Sequence, residues 1–325
     1  YLRYVLDKYT GSQERYDEIW QLIVNNYDGY RFSPKGEKLF NATILTYFLK
    51  KFAVNKGEVP EEMIDENLRT DIGWLRRLTL SLENSKAMLD ALVIDNGLYY
   101  NVADLSSKFN KQKFFDKNFY PVSLFYLGMT TLFNDYRMTT LQNNFRMALP
   151  NLTMRSIYMD YYNVLNRIDG GANRYVPTYE RFVDERDFES LVRNYFEQYL
   201  GQFPAQVFDK INENFIRCSF FELVSRYLSS CYTFAIEQNN SEGRADFEMT
   251  GIPGTDYYTD DRLVEFKYYK AKEAEKMLAS DAPLPEHVEQ VHRYAEDTLR
   301  HFPNYKVRTY VVYICANRGW KCWEV

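Results

Sequence analysis

The chain has 325 residues, of which 46% are hydrophobic and 17% aromatic, and a net charge of −5. That length gives room for two domains with a core each, and the acidic balance argues against a protein that coats nucleic acid through a basic surface. No run of eighteen apolar residues occurs to span a bilayer, and no leader pattern opens the chain, so the reading is cytoplasmic.

The four cysteines, Cys218, Cys231, Cys315 and Cys322, show no zinc spacing with His287, His292 or His301 and read as reduced thiols. The first residue is Tyr, which points to a piece of a longer protein.

Residues 1 to about 95 read as helices. Ile19, Leu22 and Ile23 recur at helical spacing until Asn26-Tyr27-Asp28-Gly29-Tyr30 breaks the pattern. Leu45, Phe48 and Leu49 mark a second amphipathic helix, and 71–82 and 84–92 suggest two more. An apolar stretch covers 122–132. Strand-like runs around Gln142-Asn143-Asn144 then predict a hairpin, and helices followed by a hairpin fit a winged-helix unit. Asp169-Gly170-Gly171 and the polar stretch to Pro177 interrupt the next helical region, periodicity resumes over 182–200, and a long helical segment covers 207–228. The expected division is a helical, winged-helix-like part over 1–155, a helical linker over 156–205 and a final domain over 206–325.

The final part changes texture. Strands are predicted over 231–236, 245–249 and 262–268, then a helix from 285 to about 300 and a strand over 305–315. The fold class is therefore α+β or α/β, ending in the order helix, three strands, helix, strand. Asp246 lies on the second of these strands, and Glu265-Phe266-Lys267 follows nineteen positions later. Side chains alternate faces along a strand, so Glu265 shares a face with Lys267 and Asp246 with Glu248. If the two strands are neighbours, Asp246 meets Glu265 and Lys267. Two carboxylates and the Phe266 main-chain carbonyl are oxygen ligands of the kind Mg2+ takes. Such an ion polarises a phosphate and acidifies bound water, while Lys267 orients that water or offsets transition-state charge.

The ordinary alternative is an amphipathic strand with Glu and Lys facing solvent; the apolar residues around the pair and the element order favour the site. Arg244 is read as a phosphate contact or the partner of a nearby carboxylate. Asp256, Asp260 and Asp261 read as a solvated hairpin loop, and Lys270, Lys272 and Lys276 as the local basic cluster. The last 125 residues hold 15 Lys and Arg against 19 Asp and Glu, so phosphate binding rests on few cations and is expected to be weak and strongly salt-sensitive.

This order, with Asp246 and Glu265-x-Lys267, resembles the PD-(D/E)XK nuclease superfamily. More narrowly, the chain resembles bacterial proteins that join an AAA-ATPase-like region to a C-terminal PD-(D/E)XK domain. Tyr27-Asp28-Gly29-Tyr30-Arg31-Phe32 followed by Leu39-Phe40-Asn41 is similar to their YDGYRF and YNP signature. Residues 124–132 are similar to their LFYxGYLTL segment, and Leu149-Pro150-Asn151 to their IPN.

The resemblance covers nearly the whole chain and implies a restriction-endonuclease-like αβββαβ domain, Mg2+ or Mn2+ as cofactor, and nucleic acid as substrate, DNA ahead of RNA. It implies Asp246 and Glu265, with the Phe266 carbonyl, as metal ligands and Lys267 as the catalytic lysine. Gln290 with Tyr294 is similar to a Q-I-x-x-x-Y element that supports the site. Glu222 stands where some members place an additional acid, although an exposed helix Glu is the plainer reading; Glu237 is a supporting or a loop residue. No GxxxxGK[ST] occurs, so this chain offers no ATP site. The leading reading is a Mg2+-dependent nuclease. The alternatives are a non-catalytic binding or regulatory module on the same fold, and an interaction scaffold working through the Tyr-rich helical half.

Overall fold

A computed structural model describes the chain except for residues 34–35, 61, 66–84, 102–112, 114–115, 117–118, 134–137, 140–141 and 237–244; at 85, 101, 138–139 and 142–145 it describes the backbone alone. The helix expected over 71–82, Glu237 and Arg244 thus lie outside the described residues. The chain forms two compact units, Tyr1–Tyr161 and Tyr162–Val325.

In the first unit, α1 (Leu2–Tyr9), α2 (Gln13–Tyr27) and α3 (Ala42–Val54) precede α4 (Ser85–Val93), β1 (Leu98–Asn101), α5 (Tyr120–Tyr126), β2 (Thr131–Leu132), β3 (Met138–Thr139) and β4 (Gln142–Ala148); α6 (Leu152–Leu165) begins in the first unit and ends in the second. Ser12 caps α2 by accepting the Arg15 N–H, and Asn41 caps α3 by accepting those of Thr43 and Ile44. The two stripes read from the sequence, Ile19, Leu22, Ile23 and Leu45, Phe48, Leu49, meet in one buried cluster.

The sheet runs β1-β4-β2, with β3 on β4. The hairpin lies where it was expected, but Gln142 and Asn143 pair with Thr139 and Met138, so they belong to the strand and not to the turn. β1 was not foreseen. The phrases around 27–32, 124–132 and 149–151 also come together. Gly29, at φ 101°, leaves no room for a Cβ beside the Pro150 carbonyl, Asn151 donates to the Asp28 carbonyl at 2.9 Å, and the Arg31 N–H donates to Thr131 Oγ1 at 2.6 Å.

In the second unit, the expected interruption holds at Asp169-Gly170-Gly171, which is not helical, but not on to Pro177, because α7 (Ala172–Glu185) contains that proline and gives up one hydrogen bond. It ends at Arg186 in the left-handed region, φ 59°, and α8 (Phe188–Asn194) follows. Then come α9 (Glu213–Leu228), β5 (Tyr232–Ile236), β6 (Phe247–Gly251), β7 (Asp260–Tyr269), α10 (Ala271–Leu278), α11 (Pro285–His301), β8 (Lys306–Cys315) and β9 (Gly319–Glu324). The expected order is present, with α10 and β9 added.

The sheet order is β5-β6-β7-β8-β9, antiparallel except for the parallel pair β7–β8, whose crossover carries α10 and α11. A strand covered on both faces reads as a continuous apolar run, as 310–315 does in β8. On one face Phe220 of α9 packs edge-on against Phe247 and Phe266. On the other, Leu263, Val311 and Tyr313 pack with Ala274, Met277, Val291 and Tyr294 of α10 and α11.

Candidate active site

β6 pairs with β7 only as far as Phe247↔Val264, whereas β8 follows β7 to its end at Tyr269↔Cys315. Residues 265–269 are therefore laddered on one side only. Alternate N–H groups of that stretch point to the other edge, and buried N–H groups need acceptors. Two carboxylates supply them: Asp246 Oδ2 accepts from Phe266 N at 2.8 Å, and Glu213 Oε2 accepts from Tyr268 N at 3.4 Å.

Asp246 is the residue just before β6, so the antiparallel register carries it to the level of Glu265. It was expected within the strand; it precedes it, and the fixed contact is to the β7 backbone. N–H and C=O of one strand residue point to the same edge, so the Phe266 carbonyl opens onto the same gap as its N–H.

Glu265 has no exposed surface. Its Oε1 accepts from Lys267 Nζ at 2.6 Å, and its Oε2 is buried with no hydrogen-bond partner among the described residues. Lys267 Nζ also lies 3.3 Å from Glu213 Oε1. The solvent-facing alternative for the Glu-x-Lys pair is thereby overturned, because the side of β7 that carries the pair is covered by α10 and α11.

Glu213 and Arg217 are contributions that the sequence reading missed. Asn212 caps α9 by accepting the Phe215 N–H at 3.1 Å, which starts the helix at Glu213. One turn later Arg217 falls on the same face and donates from Nη1 to Asp246 Oδ1 at 2.6 Å. An acid and a base four apart at the head of the helix before the strands was the signal available.

Three carboxylates and two cations thus share one pocket of charge. Burial raises the Asp246 carboxyl, and Arg217 and Lys267 pull it back only in part. Glu265 is pushed up to about 8, by burial first and by Asp246 second. Burial pulls the Lys267 ammonium down, but Glu265, Glu213 and Asp246 outweigh it and hold it above the usual lysine value. A carboxylate raised by its neighbour, as Glu265 is by Asp246, is what a divalent cation relieves.

Gln290 donates to Tyr294 Oη at 3.2 Å, a bond within α11 that sets the two side by side. On the same stretch of α11, burial and then Lys267 lower the His287 imidazole, whose Nδ1 is 2.7 Å from Tyr313 Oη. Glu222 is buried, contrary to the exposed reading, and pairs with Arg226 and with Asn163 Nδ2 at 3.3 Å. Nine residues beyond Glu213, it faces the opposite side of α9.

Asp260 and Asp261 are not in a solvated loop but open β7. Asp260 pairs with Arg262 at 2.5 Å, and Asp261 is fully buried, with Thr250 donating to it at 2.9 Å. Asp256 is exposed in the β6–β7 turn. Lys270, Lys272 and Lys276 are exposed at and within α10.

Among the described residues, no group of three or more His, Cys, Asp or Glu side chains is arranged to hold a metal ion. A magnesium ion needs fewer, since it commonly keeps several waters and takes one or two carboxylates. By that measure the residues fit a divalent cation: two carboxylates face each other, and a buried Glu265 oxygen lacks a partner. No described helix is long and apolar enough to cross a membrane.

Residues 211–324 match the family described as the PD-(D/E)XK nuclease superfamily, so a domain of that superfamily occupies α9 to β9, roughly a third of the chain. No curated protein and no solved structure matches the chain.

Proposed function

We propose that the chain is a divalent-cation-dependent nuclease that hydrolyses phosphodiester bonds, of DNA ahead of RNA, with Mg2+ or Mn2+ held by Asp246, Glu265 and the Phe266 carbonyl. The observation that carries this is the buried, partnerless Oε2 of Glu265, set opposite Asp246 with the Lys267 ammonium on the neighbouring oxygen. Such a polar atom in a low-dielectric site costs free energy unless a ligand satisfies it. A bound divalent ion supplies Lewis-acid polarisation of the phosphate and a more acidic water.

The chain's own residues do the rest. Lys267 keeps its proton, because Glu265 and Glu213 flank it, and its ammonium orients the attacking water by a hydrogen bond or offsets the charge on a non-bridging phosphate oxygen. Glu213 fixes the lysine from α9. Lys270, Lys272 and Lys276 supply exposed cations for the flanking phosphates.

The test is incubation of the purified chain with supercoiled plasmid and Mg2+ or Mn2+. Nicking that is lost in Asp246→Asn and in Glu265→Gln supports the reading, and nicking unchanged by either substitution contradicts it. One observation favours a second reading, a non-catalytic module on the nuclease fold: Arg217 and the Phe266 N–H together engage both oxygens of Asp246. A wild-type chain that binds nucleic acid yet never nicks it supports that alternative. For residues 1–155 we carry the bacterial AAA-ATPase-like and winged-helix reading as a proposal, supported by the convergence of the three phrases around Gly29 and Pro150.

A further inference from the structure

Arg217 and a divalent ion claim the same atom. The guanidinium Nη1 is 2.6 Å from Asp246 Oδ1, with the arginine side chain 11% exposed and the aspartate 3%. Asp246 Oδ2 is committed to the Phe266 N–H at 2.8 Å. Each oxygen accepts one bond, but the donor on Oδ2 is a strand N–H that stays in place, whereas the donor on Oδ1 is a side chain that can move, so Oδ1 is the oxygen Asp246 can turn to an ion shared with Glu265. An ion ligated there at about 2.1 Å would place its two positive charges against the guanidinium within ordinary contact distance. Arginine cannot yield by losing its proton. One of the two cations must leave.

We propose that Arg217 is an intramolecular competitor for the divalent cation: its guanidinium compensates Asp246, and ligation of the ion requires it to swing off Oδ1. The proposal rests on the reading of Asp246 and Glu265 as a metal site. Its position on α9 makes the exchange feasible. Arg217 is anchored one turn from Glu213, on a helix whose own packing is carried by Phe215, Ile216, Phe220 and Val224, all fully buried, so the side chain can move without the helix moving. The consequence is a site whose ion affinity is set by a helix residue and not by the carboxylates alone. A released guanidinium keeps five donors, and a phosphate brought with the ion is their natural acceptor.

The experiment is calorimetric titration of the full chain with Mn2+, comparing wild type with Arg217→Ala, Arg217→Gln and Asp246→Asn, and with exposed Lys306→Ala as a control for net charge. Arg217→Ala is expected to bind Mn2+ about tenfold tighter or more, a shift in the usual range for coupled sites, with Arg217→Gln in the same direction and Asp246→Asn abolishing binding. Should Arg217→Ala fail to fold, Arg217→Gln decides, read both by titration and by the rise of Tm on adding Mn2+. Equal affinity in wild type and the Arg217 variants overturns the competition and leaves the metal site standing. An equal gain in Lys306→Ala overturns it in favour of a net-charge effect. No binding by any of these proteins overturns the competition together with the metal site on which it rests.

Discussion

At the scale of the residue, the pairing of Glu265 with Lys267 was legible because strand alternation is local arithmetic: two residues apart means one face. Asp246 precedes β6, and the register rather than alternation brings it level with Glu265. Glu213 and Arg217 were not legible, because their role exists only once α9 lies along the unpaired edge of β7, where Phe266 and Tyr268 leave N–H groups to be satisfied. The roles of ligand and lysine separate experimentally. Lys267→Ala should leave Mn2+ binding detectable while cleavage falls by about 10²–10³-fold, as for loss of one preorganised transition-state donor; Asp246→Asn should remove both. Titration and single-turnover cleavage on the same preparations check this.

Asp261 carries a prediction away from the site. Burial first, and Glu248 second, raise its carboxyl well above the usual range. The folded state therefore keeps a proton that the unfolded chain gives up near pH 4. Its contribution to stability is full below that pH and is lost as pH rises toward the folded value, by up to about 1.4 kcal/mol per pH unit in that window. Asp261→Asn removes the linkage, so thermal melts from pH 5 to 8 should fall less with pH in the variant than in wild type. Parallel curves would assign the burial no such effect.

At the scale of the element, the long periodic helices and the strands flanking the site were readable, whereas α10 and β9 were missed. α10 is eight residues with two buried positions, Ala274 and Met277, too few for a periodic stripe. β9 is six residues and has no fully buried one, so its sequence lacks a core signal; pairing with β8 defines it. The same limit explains Glu222, because a residue's presence on a helix does not say which face docks.

The start of α11 is set from across the sheet. Tyr313 Oη of β8 accepts from Leu284 N at 2.8 Å and lies 2.7 Å from His287 Nδ1. Tyr313→Phe leaves both without their partner and should cost about 1–3 kcal/mol, lowering Tm by about 2–4 °C for each kcal/mol in a chain of this size. An unchanged Tm would mean that the α11 start is held by packing alone.

At the scale of the whole molecule, the net charge of −5 still weighs on the account. The described cations near the gap are few, and Arg217 and Lys267 are already committed to carboxylates. Binding of a non-cleaved oligonucleotide in Ca2+ should therefore be weak, and its salt dependence shallower than the strong sensitivity expected from sequence: each phosphate neutralised contributes about −0.9 to the slope against log salt, and Lys270, Lys272 and Lys276 together predict a slope near −3. Replacing all three lysines by Ala should flatten it.

The central claim is that a divalent ion sits between Asp246 and Glu265, and crystals of the chain grown with Mn2+ test it most directly. The account predicts an anomalous peak within coordination distance of Asp246 Oδ1, Glu265 Oε2 and the Phe266 carbonyl oxygen, with the Arg217 guanidinium moved off Asp246. A map with no peak there at millimolar Mn2+, and Arg217 still bonded to Asp246, would contradict it.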